Sequence, residues 1–545
     1  MRSLRRAGLI VLCAAVCGCG TYGTHTNLPL ASSEPAEKER PKPVAKVDGS
    51  GRASTAIGAK RGNPRVLVLL ALSGGGSRAS YFSASVMLRL QGLFGRDLLK
   101  EVDAISSVSG GSVTAAYYAV SRDPGEADGA EAWRRVWQED TVKALMKRDY
   151  VWRHILNWFW PANMLRYWTT AYDRSDLMEQ TLADNLYDVG RLGPAFGQDL
   201  SFFDINPERP YLLINATNAT GPGTEGDAEE ESYGFGNIFT FTREDFRDLL
   251  NSDLASYSVA RAVMASMAFP VVFPSMTLRD YRAYAKDNKK CGGRDAPRTP
   301  CERYLHVLDG GNSDNLGLST LKRILLQRWL DDGFTEVDQI VVISVDAFTR
   351  PAGTPRNLSD SRDSLLSYFV DTNLVPAVDS LLRANRSNLL HEFRTRQFAW
   401  RERDCDSDQP TLPTSLCRRL RERFPQAAAA AAGTDLGAIL SLQHKLFFYH
   451  LGFDDVGKAC YGRTDPVTGE CKGMPLRNRL DRIPTSVSLS EADAQALDKA
   501  VEAIMTEENS CLKGIYGIVE DPAKANALAL QQECDAYEKK LHGRK

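Results

Sequence analysis

Ser109 is the residue of this sequence best placed to act as a nucleophile. It lies in the stretch I-S-S-V-S-G-G at residues 105–111. A serine on a tight strand-to-helix turn, called a nucleophile elbow, presents its hydroxyl away from the backbone. The close approach of strand and helix requires small residues two positions before and after the serine, and these are Ser107 and Gly111. The alternative is a Ser- and Gly-rich βα loop without chemistry, because a single short motif is weakly specific.

Three consecutive glycines, Gly74, Gly75 and Gly76, form a second candidate group, and Arg78 follows them. They come directly after the apolar run at residues 66–72, which predicts a strand buried on both faces of a parallel sheet. Backbone N–H groups that converge at the start of a helix bind an anion, either a phosphate or the oxyanion of an acyl-transfer intermediate. A nucleotide site is the weaker interpretation, because the loop lacks the Gly-Lys-Ser/Thr ending of a P-loop.

Asp309 is the candidate general base. A strand predicted at residues 304–308 leads into it, and Gly310 and Gly311 follow and allow a close approach to a neighbouring turn. A carboxylate that is partly desolvated beside a neutral serine has a raised pKa and becomes a better base. Asp314 is the competing carboxylate, but the residues around it are typical of a helix cap, which is its expected role.

The elements that must position these residues alternate between strands and helices. Strands are predicted at residues 66–72, 102–105, 211–215, 304–308 and 340–345, and helices at residues 80–93, 112–120, 259–267 and 315–330. This alternation predicts an α/β fold in which a mostly parallel sheet carries helices on both faces. Functional residues in such folds lie at the carboxyl ends of strands, where all three motifs are expected.

In the order G-G-G, S-V-S-G-G and D-G-G, the three motifs resemble those of the patatin-like phospholipase family. The stretch A-S-M-A-F-P at residues 265–270 is similar to the family's helix end A-S-x-A-x-P. The resemblance covers residues 64–347 and implies a patatin-like three-layer α/β/α fold. Two positions depart from the family pattern: Ser107 replaces the elbow glycine, and Ala79 replaces the last glycine of G-x-G-x-x-G. Both residues are small, so we expect the geometry to persist.

The resemblance implies a catalytic dyad. Ser109 would attack an ester carbonyl and Asp309 would accept its proton, while the loop of Gly74, Gly75, Gly76 and Arg78 would form the oxyanion hole. The implied activity is that of a lipid acyl hydrolase, a phospholipase A or lysophospholipase acting on membrane glycerophospholipids without a metal or another cofactor. The alternatives are a carboxylesterase or thioesterase with the same dyad, or an inactive envelope lipoprotein that binds lipid. Intact Ser109 and Asp309 argue against the last, because a binding protein needs neither.

A Ser–acid–His triad is the competing mechanism, because that chain order is the one found in α/β-hydrolases. His391, His444 and His450 do follow Asp309 in the sequence. None of the three clearly shows the strand-then-loop pattern that delivers a catalytic histidine, so we expect none of them to be required.

The 545 residues have the composition of a globular protein, with 43% hydrophobic residues, 25% charged residues and a formal net charge of −2. A charge so close to zero argues against nucleic acid as a partner, because phosphate contacts require a basic excess. We divide the chain into a signal peptide at residues 1–18, an anchor and tether at residues 19–63, a catalytic domain at residues 64–348 and a mainly helical region at residues 349–545. Nothing in the sequence points to a particular protein partner.

The N-terminus has a basic start and an apolar core too short to span a membrane, which is typical of a signal peptide. It ends in V-C-G-C, which resembles a bacterial lipobox in which Cys19 becomes the acylated N-terminus. An ordinary cleaved signal peptide is the alternative. Gly20, where aspartate would favour inner-membrane retention, suggests anchoring in the outer membrane, facing the periplasm. The polar residues that follow predict a flexible tether.

Aromatic residues are unusually dense at residues 151–168, which contain four tryptophans. They are consistent either with a hydrophobic core or with a wall that contacts lipid, since Trp and Tyr favour membrane interfaces.

After the signal region, eight cysteines remain, an even number that predicts disulfides in an exported protein. They form four close pairs in the sequence: Cys291–Cys301, Cys405–Cys417, Cys460–Cys471 and Cys511–Cys534. Local pairing is the simplest prediction, and the absence of a C-x-x-C pair argues against a zinc site.

Overall fold

The computed structural model describes residues 27–30, 63–125, 134–169, 172–187, 199–220, 237–270, 272–281, 303–350, 374–400, 405, 414–423, 438–462, 471–486 and 488–542. The strands, numbered in chain order, are β1 Leu28–Pro29, β2 Val66–Leu72, β3 Val102–Val108, β4 Tyr211–Asn218, β5 Ile238–Phe241, β6 Ser252–Asp253, β7 Met276–Asp280, β8 Arg303–Asp309, β9 Gln339–Asp346, β10 Gln397–Trp400, β11 Ala438–Ser441, β12 Leu446–Gly452, β13 Cys460–Tyr461 and β14 Met474–Pro475.

The α-helices among these residues are α1 Gly76–Leu90, α2 Gly110–Val120, α3 Glu139–Met146, α4 Tyr150–Trp158, α5 Pro161–Thr169, α6 Arg174–Leu182, α7 Arg243–Leu250, α8 Val259–Met267, α9 Leu318–Asp332, α10 Leu374–Thr395, α11 Thr414–Arg423, α12 Leu476–Leu480, α13 Glu491–Ile504, α14 Ser510–Glu520 and α15 Ala527–Leu541. Every strand and helix predicted around the three motifs is present. None of the described helices combines the length and apolarity needed to cross a bilayer.

The central sheet has eight strands in the order β12-β9-β2-β3-β4-β8-β7, with β5 paired to β4. The pairs from β12 to β4 are parallel, whereas β5, β7 and β8 are antiparallel to their neighbours. The expected α/β class with a mostly parallel sheet is therefore confirmed.

Strand β2 explains why the sheet carries helices on both faces. All seven of its residues are buried, and because side chains alternate along a strand they enter two separate cores. Val66, Val68, Leu70 and Leu72 pack into a core with α1 and α2. Leu67, Leu69 and Ala71 pack into a second core with α9 and α10. A continuous apolar run was the sequence signal for this placement.

The C-terminal region belongs to the same folded unit, contrary to the boundary predicted at residue 348. Strand β12 pairs in parallel with β9 along its whole length and forms the edge of the sheet. Helices α13 and α14 contribute Leu497 and Ile515 to the core of α1 and α2. The apolar run at residues 446–449 was the available signal for a buried strand.

Part of the predicted tether also belongs to the fold. Strand β1 pairs antiparallel with β6. The buried Asn27 side chain accepts a hydrogen bond from the N–H of Arg279 at 2.8 Å and donates one to the carbonyl oxygen of Arg279 at 2.8 Å. Residues 27–30 are therefore clipped to the domain, because a carboxamide can satisfy both backbone groups of an edge residue. The signal peptide, Cys19 and the rest of the tether lie outside the described residues.

Three of the four predicted disulfides are confirmed: Cys405–Cys417, Cys460–Cys471 and Cys511–Cys534. The predicted pair Cys291–Cys301 lies outside the described residues. Local pairing was the right expectation, because each of these loops closes over few residues.

The shared core predicts that the C-terminal region and the catalytic motifs unfold together. Phe447 of β12 is completely buried, and its ring lies 3.1 Å from the position that a Cβ on Gly514 would occupy. Phe447→Ala should lower the free energy of unfolding by about 3–5 kcal/mol. Urea unfolding followed by circular dichroism should show one transition, shifted to lower urea.

Phe159→Ala is the matched control, because Phe159 is 67% exposed and its truncation should change stability little. A Phe447→Ala protein with two urea transitions, one of them at the parent's urea concentration, would show that the two regions fold separately.

Candidate active site

Ser109 lies on the turn between β3 and α2, as the sequence predicts. Its φ of 49° and ψ of −120° are unusual for a residue with a side chain, and such strain is typical of functional turns. The Ser109 N–H donates a hydrogen bond of 2.8 Å to the Ser266 hydroxyl. That hydroxyl donates in turn to the Asn215 carbonyl oxygen at 2.6 Å. The strained turn is thus held by a buried hydrogen-bond chain.

The glycines after Ser109 allow backbone to pack against backbone. A Cβ on Gly110 would lie 2.0 Å from the Gly76 carbonyl oxygen, and a Cβ on Gly111 would lie 2.6 Å from that of Leu72. No side chain fits at either position. The elbow and the glycine loop are therefore in direct backbone contact, which brings the two motifs into one site.

The two departures from the family pattern are both accommodated. Ser107 is fully buried and its hydroxyl donates to the Leu213 carbonyl oxygen at 3.1 Å. Ala79 is also buried, and its Cβ lies 3.2 Å from the position of a Cβ on Gly75. Ser107 therefore adds a hydrogen bond to the neighbouring strand β4, which a glycine at this position would not make.

The glycine loop offers two backbone donors for an oxyanion. Gly75, with a φ of 139°, and Gly76, with a φ of 62°, adopt conformations that favour glycine. Within the described chain, neither of their N–H groups donates a hydrogen bond. The N–H of Gly74, by contrast, donates to the Asn315 carbonyl oxygen at 2.9 Å. Gly74 is thus a structural member of the loop, and its predicted role as an oxyanion donor is not supported.

Arg78 holds the loop to the C-terminal region. Its guanidinium donates to the carbonyl oxygens of Ala347 at 2.9 Å and Ile483 at 2.7 Å, and to the Thr485 hydroxyl at 3.1 Å. Burial lowers the pKa of Arg78 to about 10, so it keeps its charge at neutral pH. We predicted Arg78 as part of the oxyanion hole. The structure instead commits its hydrogen bonds to the segment that crosses the loop.

Asp309 reaches the elbow from an antiparallel strand. Strand β4 extends beyond the end of β3, and β8 pairs with this extension, so that Asp309 stands opposite Ala216. Strand β8 is antiparallel to β4 within the mostly parallel sheet, and Asp309 lies at its carboxyl end, as expected. The Ser109 hydroxyl donates to Asp309 Oδ2 at 2.8 Å. The predicted pair is therefore in hydrogen-bond contact.

The environment of Asp309 makes it a stronger base than an exposed aspartate. Burial raises its pKa to about 6, although the Gly311 N–H and the Ser109 hydroxyl both donate to the carboxylate and favour its charged form. Ser109 and Asp309 are 8% and 5% exposed. A carboxylate with a pKa near 6 is ionised at neutral pH and still accepts a proton readily, as a general base must.

Asp314 has the structural role expected for it. Its carboxylate accepts hydrogen bonds from the N–H groups of Leu316 at 2.8 Å and Ser319 at 2.6 Å, close to the start of α9. His450 lies on β12 and pairs with Asp346, with 2.9 Å between Nε2 and Oδ2. That strand is separated from β3 by β9 and β2. His391 and His444 are exposed.

Two residues of the site were not predicted as functional. Ser266 was noticed only as part of A-S-M-A-F-P, and its hydroxyl holds the elbow. Asn315 was assigned to the cap of α9. Its carboxamide oxygen would lie 2.3 Å from a Cβ on Gly74, and Ser109 Cβ would lie 3.2 Å from the same point. Asn315 therefore stands where the glycine loop, the elbow and the D-G-G turn converge.

Residues 70–322 match the family model of the patatin-like phospholipases. Over this segment, a little under half of the chain, the protein is similar to that family. Its fold is the patatin fold, with a mostly parallel mixed sheet between helices, as predicted. Strands β9 and β12, which complete the sheet of the patatin domain, lie after the matched segment.

Among solved structures, human GIVD cytosolic phospholipase A2 aligns with 86% of this chain and 60% of its own, at 14% sequence identity and a TM-score of 0.36. The chain thus spans less than two thirds of that protein. VipD from Legionella pneumophila aligns with 87% of this chain and 80% of its own, at 13% identity and a TM-score of 0.23. A comparison with curated proteins gives no match.

The raised pKa of Asp309 offers a test of whether this carboxylate is the general base of an ester hydrolysis. Protonation of such a base would remove activity, so kcat/KM on a soluble ester should fall about tenfold for each pH unit below about 6. A pH–rate profile of the free enzyme measures this acid limb. Asp314→Asn is the control, because Asp314 is also a buried carboxylate with a raised pKa. If the limb disappears in that variant, Asp309 is not the titrating base.

Proposed function

We propose that the protein is a lipid acyl hydrolase, a phospholipase A or lysophospholipase that cleaves carboxylic esters of glycerophospholipids through the dyad of Ser109 and Asp309. The observation that carries the proposal is the hydrogen bond of 2.8 Å from the Ser109 hydroxyl to a buried carboxylate. The unoccupied N–H groups of Gly75 and Gly76 lie on the loop that contacts this serine's turn. Nucleophile, base and oxyanion donors are the parts that acyl transfer requires.

In the first half of the reaction, Ser109 Oγ attacks the ester carbonyl carbon and its proton passes to Asp309 Oδ2. The carbonyl oxygen becomes an oxyanion and accepts hydrogen bonds from Gly75 and Gly76, which are preorganised by their glycine conformations. When the tetrahedral intermediate collapses, the ester C–O bond breaks. Asp309 then returns the proton to the departing alcohol, and the acyl group remains on Ser109.

In the second half, Asp309 takes a proton from water as the water oxygen attacks the acyl carbonyl. Collapse of this intermediate breaks the bond to Ser109 Oγ, which recovers its proton from Asp309. The products are a fatty acid and a lysolipid or its deacylated alcohol. One carboxylate serves both halves because a pKa of about 6 lies close enough to neutrality for it to release as well as accept a proton.

The similarity to patatin-like phospholipases supports lipid esters as the substrates, rather than the substrates of a carboxylesterase or thioesterase with the same dyad. A carboxylesterase or thioesterase would use identical chemistry on a different acyl compound, and relative kcat/KM values distinguish them. An inactive lipid-binding protein is less consistent with the site. Keeping a carboxylate buried beside a serine opposes its ionisation, and a protein that only binds lipid gains nothing from it.

The proposal extends to location. We infer that Cys19 carries a lipid and anchors the enzyme to the bacterial envelope, in the outer membrane facing the periplasm. The N-terminal sequence supports this, and so do the three disulfides, because such bonds persist in oxidising compartments. An anchored hydrolase would meet membrane phospholipids directly.

Substitution of the dyad is the first test of the proposed activity. Ser109→Ala and Asp309→Asn should each abolish release of fatty acid from phospholipid and from a soluble ester, while circular dichroism and melting remain close to those of the parent. Loss of a positioned base typically lowers the rate by about 10²–10⁴-fold. An Asp309→Asn protein that keeps most of its activity would show that another group is the base.

The three histidines are the controls for a triad. His391→Ala, His444→Ala and His450→Ala should each keep most activity on a soluble ester. A correctly folded histidine variant that loses about 10²-fold or more would replace the dyad with a triad and rule out Asp309 as the direct base.

The lipid anchor is tested by labelling cells with a radioactive fatty acid. The parent chain should incorporate label and Cys19→Ser should not, because acylation of a lipobox requires the cysteine thiol. Cys17→Ser is the matched control and should be labelled like the parent. Label that persists in Cys19→Ser would place the anchor elsewhere.

A further inference from the structure

The aromatic segment at residues 151–168 is largely exposed. Its exposure favours the prediction that it contacts lipid over the alternative that it is part of a hydrophobic core. The strongly exposed large apolar side chains among the described residues lie in three places: β1, the pair of helices α4 and α5, and a loop after α8. The last two together contain Trp152, Ile155, Leu156, Phe159, Trp160, Leu165, Tyr167, Trp168, Phe269 and Val272. We call these ten residues the apolar face.

Helices α4 and α5, which carry most of the apolar face, are amphipathic. The inner side of α4 is fastened to the protein: Asn157 donates to the Thr181 hydroxyl at 2.9 Å, and Arg153 donates to the Asn185 side chain at 2.5 Å. The outer side carries side chains as exposed as Trp160, at 64%, and Trp168, at 75%. Exposed apolar clusters of this kind mark interaction sites, because a monomeric protein gains nothing from keeping them in water.

The apolar face is joined to the active site by the loop after α8. Phe269 follows Ala268, whose carbonyl oxygen accepts the N–H of Asp309 at 3.0 Å. Four residues later, the Phe273 ring packs edge-on against His154 of α4, with 6.3 Å between ring centroids. The dyad and the apolar face are therefore connected through one short segment of chain.

Composition and charge favour a bilayer as the occupant over another protein. Trp and Tyr have an apolar body and one polar atom, and this combination suits the boundary between lipid headgroups and acyl chains. Residues 147–168 contain Lys147, Arg148, Arg153 and Arg166 against the single acid Asp149. With Glu491, which pairs with Lys147 at 2.6 Å, included, the net charge is +2. A basic surround of this kind complements anionic headgroups.

The clipped N-terminal strand favours the same occupant. Asn27 is buried against β7, and it lies eight positions after Cys19 in the sequence. A fully extended chain spans about 3.3–3.6 Å for each residue, so a lipid on Cys19 would hold the bilayer within roughly 30 Å of Asn27. A tether this short would keep the membrane at a high local concentration beside the protein surface.

We propose that the apolar face docks on an anionic phospholipid bilayer and presents the active site to it. The proposal names the physical partner of the proposed lipid hydrolase and rests on that function for its purpose, while the docking itself needs no catalysis. Tryptophans at the outer ends of α4 and α5 enter the headgroup region. Phe269 and Val272, on the segment that leads from Asp309 to the apolar face, bring the dyad close to the lipid surface. Substrate then reaches Ser109 without crossing water.

Docking is tested with the full chain carrying Ser109→Ala, so that the lipid is not consumed. The protein is reconstituted through its own anchor into vesicles of phosphatidylethanolamine and phosphatidylglycerol that contain lipids with brominated acyl chains. Bromine quenches tryptophans that enter the bilayer, and four of the eight tryptophans lie in residues 152–168. Tryptophan fluorescence should be quenched, and combining Trp160→Ser with Trp168→Ser should remove most of that quenching.

A second measurement uses the active chain. The Trp160→Ser and Trp168→Ser double variant should hydrolyse vesicle phospholipid about tenfold or more slowly, because each large apolar side chain withdrawn from lipid weakens partition by roughly that factor. Its rate on a soluble short-chain ester should stay within about twofold of the parent. Leu28→Ser is the matched control, because Leu28 is 54% exposed but lies on β1, outside the apolar face; its vesicle rate should match that of the parent.

Several results would overturn the proposal. These are an unquenched parent, an equal loss on vesicles and soluble ester, or an equal loss in Leu28→Ser. A dimer in solution that the double variant dissociates, without quenching by lipid, would assign the apolar face to a second copy of the chain. A parent that docks and is quenched but hydrolyses neither substrate would refute the proposed function and leave the docking proposal standing.

Discussion

The whole site depends on one contact between two stretches of backbone, where Gly110 lies against the carbonyl oxygen of Gly76. This contact exists only because Gly110 has no Cβ, and it sets the distance between the turn of Ser109 and the glycine loop. Strands β2 and β3 are parallel neighbours, so their carboxyl ends bring the two turns to one edge of the sheet. Asp309 reaches this edge on a different strand, because β8 pairs antiparallel with the end of β4.

The same arrangement works against the stability of the fold. The pKa of Asp309 rises from an ordinary 3.8 to about 6 because of burial, so the folded state binds a proton more tightly than the unfolded chain. Stability therefore falls as the pH rises through the interval from about 4 to about 6, by about 3 kcal/mol for this group. The ionised form that the proposed mechanism requires is the less stable one. The Ser266 hydroxyl accepts the Ser109 N–H, and Thr217 and Asn312 donate to the Asp309 carbonyl oxygen; these hydrogen bonds hold the site in place against that loss.

The motifs could be read from the sequence because each is local. A buried strand, a short turn of small residues and a following helix leave a pattern within twenty positions, and so Ser109, Asp309, Gly75 and Gly76 were identified. The motif A-S-M-A-F-P contains Ser266 but does not reveal its role, because its hydroxyl accepts a hydrogen bond from a backbone N–H 157 positions away. The clip at Asn27 and the edge strand β12 also depend on distant pairing, so residues 27–30 appeared to be tether and the C-terminal region appeared to be separate.

The segment at residues 483–486 shows that the folded unit extends beyond the residues that match the family model. The Ser486 carbonyl oxygen accepts the Ser77 N–H at 2.7 Å, at the start of the helix that follows the oxyanion loop. A fragment cut to the family match at residue 322 would lose that acceptor and all three acceptors of Arg78. It would leave a guanidinium in the interior without partners and β2 without its neighbour β9. Residues outside the matched segment therefore form part of the scaffold of the glycine loop, and a change in either affects the other.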